Sequence, residues 1–237
     1  MVDIHTHILP GIDDGSKSWE MTAEMCRMAA ADGITHIVAT PHSNHVYAYD
    51  RERFTRMLGQ LHDAGDGRIA FSLGCDFHFS YDNIHDALEN PRRYTIGDTQ
   101  YLLIEFSDYG IPPSVNDDIL ALRSCGMVPI ITHPERNQPL LKNPDKVLAL
   151  IDQGCLVQVT ANAVTGAWGS RSQKMAEWLL TKRAIHVVAS DAHDPVRRRP
   201  IMSEARDAIT KLASADVAET LVTHNPAAIV DGGSLPG

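Results

Sequence analysis

Short apolar runs alternate with helical patterns along almost the whole of this 237-residue chain. The runs are rich in β-branched residues and predict strands, and the segments between them place apolar residues at helical spacing. Such alternation is typical of a parallel sheet, and neither a linker nor a glycine-rich dinucleotide pattern interrupts it. The sequence therefore predicts a closed α/β barrel that residues 1–237 form as a single domain. The seven predicted strands are residues 2–4, 34–39, 68–73, 101–104, 127–132, 155–159 and 185–189.

Six of the seven predicted strands end beside a residue that can bind a metal ion. In α/β barrels the active site lies at the carboxyl ends of the strands, so these side chains are expected to meet at one rim. A single Asp could be ordinary turn chemistry, but six strand ends together are hard to explain in that way. The candidate ligands are His5, His7, Asp14, His42, Asp76, Glu105, His133, Asp191 and His193.

The types of these residues indicate what they could bind. His5 and His7 point to the same side of the first strand because side chains alternate along a strand. A His-x-His pair can equally be two surface residues, and only the other strand ends favour a site. Imidazole and carboxylate without thiolate favour a hydrolytic metal cluster over a structural zinc finger. Nine candidates exceed what one ion can use, so two or three ions are expected.

Two arginines that follow strand ends indicate phosphate chemistry. Arg136 closes the sequence His-Pro-Glu-Arg, and Arg198 lies five residues after His193. Guanidinium groups bind phosphate oxygens bidentately and stabilise charge in phosphoryl transfer. Arg198 could alternatively belong to a solvated basic turn at residues 197–199. No cysteine is followed six positions later by arginine, which excludes a phosphatase loop of the Cys-x5-Arg kind.

Charge and hydropathy narrow the possible partners. The formal net charge is -9, and residues 197–199 form the one basic run, so binding to nucleic acid or to a membrane surface has little electrostatic support. No stretch approaches 18 apolar residues and no leader pattern opens the chain, which predicts a cytoplasmic protein without membrane insertion. The four cysteines show no metal-binding spacing and are expected to be reduced packing residues.

The segments that carry the candidate ligands also match the pattern of a known family. They resemble the PHP (polymerase and histidinol phosphatase) superfamily, and more closely its bacterial metal-dependent protein-tyrosine phosphatases of capsule and exopolysaccharide biosynthesis. The matching segments span nearly the whole chain. They are residues 3–15, 39–42, 101–106, 132–136 and 190–193.

The resemblance implies a distorted seven-stranded (βα)7 barrel of the TIM-like PHP fold with three metal ions, often manganese, with iron or zinc as alternatives. The family's bridging ligand is a glutamate in a Gly-x-Glu sequence, and here that position reads Gly74-Cys75-Asp76, with a side chain one methylene shorter. The implied ligand sets are His5, His7, Asp191 and the bridging Asp76 for one ion, Glu105 and His133 for a second, and Asp14, His42 and His193 for a third.

The resemblance also implies an activity, namely hydrolysis of phosphotyrosine by a metal-dependent phosphatase. A hydroxide shared by the metal ions would attack phosphorus directly, while Arg136 and Arg198 bind the phosphate. The implied partner is a phosphotyrosine protein, the tyrosine-rich tail of a bacterial polysaccharide-biosynthesis kinase. Two alternatives stay open: a small-molecule phosphoesterase acting on a histidinol-phosphate-like compound or a nucleotide, and a weakly active metal-binding or kinase-docking module.

Overall fold

The computed structural model describes residues 1–64 and 67–236 and has a parallel α/β fold. Every strand pair in these residues is parallel, which confirms the predicted α/β organisation. The strands are β1 Val2–Thr6, β2 His36–Ala39, β3 His42–Ser43, β4 Ala70–Leu73, β5 Asp76–His78, β6 Tyr101–Glu105, β7 Val128–Thr132, β8 Leu156–Thr160 and β9 Val187–Ala189.

Helices follow most of the strands and return the chain for the next parallel strand. Within the described part of the chain, no helix has both the length and the apolar character needed to cross a membrane. The helices are α1 Trp19–Asp32, α2 Arg51–Ala64, α3 Tyr81–Glu89, α4 Val115–Ser124, α5 Gln138–Lys142, α6 Asp145–Asp152, α7 Ala161–Val164, α8 Ser170–Thr181, α9 Ser203–Leu212, α10 Ala215–Glu219 and α11 Asn225–Val230, with a π-helix at Thr220–His224.

The strands are paired in the order in which they occur along the chain. One sheet has the order β1-β2-β4, and the other has the order β3-β5-β6-β7-β8-β9. The end of β1 also contacts the segment that follows β9, because the His7 N–H donates to the Ala192 carbonyl at 2.8 Å and the Asp191 N–H donates to the His5 carbonyl at 2.9 Å. The first and last strands are therefore neighbours.

Two of the predicted strands, residues 34–39 and 68–73, are each followed after a short break by a further short strand. The chain leaves β2 at Ala39 and resumes as β3 at His42, and it leaves β4 at Leu73 and resumes as β5 at Asp76. Pro41 lies in the first break, where it has no N–H to offer to a ladder, and its carbonyl accepts the Asp76 N–H at 3.1 Å. His42 and Asp76 consequently face each other as register partners in a short parallel pair.

The sheets are buried on both faces, as parallel sheets usually are. In β6, Leu102 and Ile104 belong to the larger hydrophobic cluster, which also contains helix residues, whereas Tyr101 and Leu103 belong to a smaller one. Successive residues thus enter different clusters, as the two-residue period of a strand requires. Burial on both faces holds the strands rigidly and fixes the positions of the side chains at their ends.

Candidate metal centre

The nine predicted ligands lie together at the carboxyl ends of the strands, linked to one another by side-chain contacts. Within this cluster, three groups place one potential ligand atom from each residue within 4.8 Å of the others. The groups are His7 with Asp14, His42 and His193; His5 with His7 and Asp76; and His42 with Asp76 and Glu105. Glu105 extends the cluster to His133, whose Nε2 lies 3.6 Å from its Oε1.

Asp76 occupies a central position because it belongs to two of the three groups. Its Oδ2 lies 3.5 Å from His5 Nε2 and 3.2 Å from His42 Nδ1. The missing methylene therefore does not remove this side chain from the cluster. Among the described residues, neither of its buried carboxylate oxygens has a hydrogen-bond partner. Buried polar atoms are nearly always satisfied, so a cation fits the position well.

Three of the histidines are held by a hydrogen bond at Nδ1. An acceptor at Nδ1 keeps the proton of the neutral ring there and leaves the lone pair on Nε2 free, which is how proteins orient histidines that bind metals. These bonds join His5 to Gln158 Oε1 at 2.9 Å, His7 to Asp13 Oδ2 at 2.8 Å and His193 to the Asp191 carbonyl at 3.0 Å.

The three residues of the Asp13-Asp14-Gly15 sequence have different roles. Asp13 holds the His7 ring and accepts the Gly15 N–H, whereas Asp14 Oδ1 lies 3.2 Å from His42 Nε2 and 3.3 Å from His193 Nε2. A Cβ on Gly15 would lie 2.1 Å from the His7 carbonyl oxygen. Only glycine allows the loop to approach the first strand closely enough to bring Asp14 to the histidines.

The carboxylates of the cluster attract positive charge. Burial lowers the pKa of His5, but Asp76 and Asp191 more than offset this and raise the pKa to about 9. Burial likewise opposes the charged form of His42, whose neighbours Asp14 and Asp76 raise its pKa to about 11. Burial and the adjacent His193 instead lower the pKa of His7 to about 3. Divalent cations would supply the charge that protons otherwise provide, so their binding would release protons.

Two of the candidate ligands have a strained backbone. His133 has a φ of 33° and Asp191 a φ of 53°, and the one other non-glycine residue with positive φ in the described ranges is Arg183. Such angles are uncommon outside glycine and occur often at functional sites, where the surrounding structure imposes them. Here the preceding strands β7 and β9 are buried and rigid, so they can hold both turns.

Arg136 and Arg198, the predicted phosphate-binding residues, meet at the edge of the cluster. Both guanidinium groups contact Asp191 Oδ2, Arg198 at 2.6 Å. Their central carbons lie 4.9 Å (Arg136) and 5.7 Å (Arg198) from the centre of the Trp168 ring, within the range of cation–π attraction. Two positive groups are thus held side by side next to the candidate ligands.

The contributions of Gln158, Glu135 and Trp168 were not predicted from the sequence. Gln158 orients His5, and Glu135 accepts the Thr160 N–H at 2.9 Å and its hydroxyl at 2.7 Å, which ties the His-Pro-Glu-Arg loop to β8. Trp168 could have been noticed, because it follows the one predicted strand whose end carries no His, Asp or Glu. Glycines at positions 166 and 169, both with positive φ, flank it and shape its loop.

A parallel α/β fold with histidines and carboxylates gathered at the strand ends defines a class of metal-binding proteins to which PHP proteins belong. The chain belongs to the CpsB/CapC family of capsular polysaccharide synthesis proteins, whose model matches residues 1–231. It is 36% identical to CapC of Staphylococcus aureus over 206 residues, which cover 85% of this chain and 80% of CapC. It is 31% identical to the tyrosine-protein phosphatase CpsB of Streptococcus pneumoniae over 241 residues, covering 97% and 98% of the two chains.

Solved structures agree with this family. One solved structure matches with a TM-score of 0.91 and 29% identity, covering 99% of this chain and 96% of the other. It belongs to a pair of proteins, YwqE of Bacillus subtilis and CpsB of Streptococcus pneumoniae, which are described as metal-dependent tyrosine phosphatases. A histidinol phosphate phosphatase of Lactococcus lactis has a TM-score of 0.58 at 11% identity, over 89% of this chain and 94% of its own, and shares the fold. The predicted resemblance to the bacterial metal-dependent protein-tyrosine phosphatases of capsule biosynthesis is confirmed.

Proposed function

We propose that this protein is a metal-dependent protein-tyrosine phosphatase, a hydrolase of the phosphotyrosine monoester. The observation that carries the proposal is the cluster of nine histidines and carboxylates with two guanidinium groups at its edge. Metal ligands beside paired arginines suit phosphoester hydrolysis better than ester or amide hydrolysis, because both arginines match phosphate oxygens. The relatives named tyrosine-protein phosphatases support the same activity.

The cofactors of the proposed enzyme are two or three divalent ions, with manganese preferred and iron or zinc as alternatives. The donor set fits such ions, since it combines imidazole with carboxylate and contains no thiolate. His42 Nδ1, His193 Nε2 and both Asp76 oxygens are buried without a hydrogen-bond partner in the described chain. When bound, the ions supply positive charge and an activated water. The proposed ligand sets are His5, His7, Asp76 and Asp191; Glu105 and His133; and Asp14, His42 and His193.

In this proposal Arg136 and Arg198 bind the phosphate and neutralise the charge that develops during its transfer. Each guanidinium has five N–H groups, so it can keep its contact with Asp191 and still donate to a phosphate oxygen. Trp168 lies against both groups and restricts their motion. Positioned donors of this kind act without reorganising during the reaction, which is why they are effective.

The remaining proposals concern the fold and the setting. We propose a distorted barrel of seven strands. The nine observed segments give seven strands when β2 and β3 are treated as one strand and β4 and β5 as another. The backbone bonds between β1 and the segment after β9 support closure. Residues 1–237 would form one domain of a cytoplasmic protein. Its substrate would be the tyrosine-rich tail of a polysaccharide-synthesis kinase, consistent with the capsular family.

Metal analysis combined with a substrate panel tests the activity. The purified protein would be assayed with a phosphotyrosine peptide, histidinol phosphate and a nucleotide, before and after chelation and after manganese is restored. We expect the highest kcat/KM for the peptide, loss of activity on chelation and its return with metal. Peptide hydrolysis that chelation leaves unchanged would refute the proposal. A preference for a metabolite would favour a small-molecule phosphoesterase, and full metal occupancy without any turnover would favour a docking module.

A further inference from the structure

A cavity of about 400 Å³ lies directly beside the candidate metal centre. Glu105, His133 and Arg136 line it and are also part of the proposed catalytic site. A molecule in this cavity would therefore contact both the cluster and a phosphate-binding arginine. A larger cavity lined by residues 49–52, 90–93 and 98 includes none of the candidate ligands.

The cavity is lined by three apolar side chains together with polar ones, which besides the catalytic residues are Asp108, Thr132, Asn137, Gln138, Arg171 and Ser172. Phe106, Leu141 and Trp168 line it, and Phe106 is held by an edge-to-face contact with Phe79 at 5.1 Å between ring centroids. Pockets for small organic groups combine aromatic and apolar side chains with polar groups that fix the orientation of the ligand, and this volume is sufficient for an aromatic ring. Aromatic walls favour such a ring through stacking and edge-to-face contacts.

Trp168 contacts both the proposed phosphate-binding arginines and the cavity. One indole packs against the guanidinium groups of Arg136 and Arg198 and also lines the cavity. Its Nε1 is buried and has no hydrogen-bond partner among the described residues, which is unusual for a tryptophan N–H. A side chain that contacts both the proposed phosphate site and this cavity is well placed to select which ester is accepted.

We infer that this cavity takes the phenyl ring of the substrate's phosphotyrosine, and that Trp168 determines the preference for aryl over alkyl phosphates. The inference rests on the proposed function. With the phosphate at Arg136 and the candidate ligands, the ester oxygen and its ring extend into the space between Glu105, Phe106 and Trp168. The side chain of phosphoserine has no ring and would leave the space beside Phe106 and Trp168 unfilled, so these two side chains contribute binding only for an aryl ester.

Trp168→Leu and Trp168→Phe separate this role from a merely structural one. Leucine removes the aromatic face, whereas phenylalanine retains it. The matched control is Trp178→Leu, because Trp178 also lies near a cation, with Lys182 Nζ 5.9 Å from its ring centre, but lines no part of this cavity. Phe106→Leu is a second test that alters a wall without touching the arginines. Metal content, kcat and KM would be measured for phosphotyrosine and phosphoserine peptides of one sequence.

For Trp168→Leu we expect kcat/KM on the phosphotyrosine peptide to fall about 10-fold, mainly through KM, the scale of one aromatic contact. The phosphoserine peptide should lose less, so selectivity should fall, while Trp168→Phe keeps most of it and metal content stays constant. Phe106→Leu should reduce selectivity in the same direction. Equal losses on both peptides, or no change, would overturn the pocket assignment while leaving the phosphatase intact. A wild-type protein without phosphotyrosine activity would refute the proposed function itself.

Discussion

Gln158→Leu tests whether hydrogen bonds behind the candidate ligands control metal binding. Gln158 is fully buried, its Oε1 accepts from His5 Nδ1 at 2.9 Å, and its Nε2 has no partner in the described chain. Leucine has a similar volume, so the substitution removes one functional hydrogen bond and leaves little empty space. His5 would keep its place on β1 but lose the acceptor that fixes its ring.

The structure sets the size of the expected effect. The His5 Nδ1–H would be left buried and unpaired, at a cost of about 1–3 kcal/mol. Loss of such a partner typically weakens metal affinity by about 10–100-fold. That range corresponds to about 1.4–2.7 kcal/mol of metal-binding free energy, whereas the cost of the unpaired N–H lowers the stability of the fold with or without metal. Because Gln158 Nε2 bonds to no described residue, its removal adds no further penalty.

Calorimetric titration of manganese into chelator-treated protein would measure the change. We expect the Kd to rise about 10–100-fold in Gln158→Leu. Gln153→Leu is the matched control, because Gln153 bonds Asn116 at an exposed position away from the cluster, and its metal affinity should match that of the wild type. Circular dichroism of both apo-proteins would verify folding. An unchanged Kd in a folded Gln158→Leu variant would show that the His5–Gln158 bond does not orient a ligand.

Three further substitutions test other parts of the site. Arg136→Ala should raise the activation free energy of hydrolysis by about 2–4 kcal/mol. The measurement is a fall in kcat/KM on a phosphotyrosine peptide while metal content stays intact. Unchanged kinetics would remove Arg136 from the mechanism. His5→Ala should reduce metal content and activity together, so full metal occupancy by mass spectrometry would contradict its ligand role. Gly15→Ala should destabilise the protein by about 1–3 kcal/mol in urea unfolding, because its Cβ would lie 2.4 Å from His7 Cβ. Gly59→Ala is the control and should not destabilise the protein, because the space around Gly59 on α2 is open. Equal stability of the two variants would refute this reasoning.

Chemical type and position along the chain made much of the site predictable. A His, Asp or Glu at or shortly after the end of an apolar run needs no long-range information to be noticed, and side-chain contacts join the nine candidates in one cluster. The ends of helix α1 carry equally local signals, because Ser18 caps its first turn and Gly33, at a φ of 87°, ends it. Both features depend on local sequence, which pattern reasoning can recognise.

Features that depend on tertiary contacts were not predictable. The breaks before His42 and Asp76 transfer the chain to a second sheet, and neither residue type nor periodicity specifies such a transfer. Gln158 is 153 positions from His5, and nothing in its local sequence distinguishes it from a packing residue. Helix α11 follows the π-helix directly, and the five-residue hydrogen-bonding pattern of that π-helix shifts the helical spacing, so periodicity alone does not specify this helix.

The contact between the first and last strands also constrains how the protein is made. Besides the bonds of His5 and His7, Ser190 donates its N–H to Asp3 Oδ1 at 3.0 Å across a separation of 187 positions. During synthesis these histidines emerge well before their partners in the segment after β9. Closing so long a loop is slow, and the centre cannot form until that strand has left the ribosome. Nascent chains therefore expose the unpaired edge of β1 and its two histidines until residues 190–192 have been synthesised.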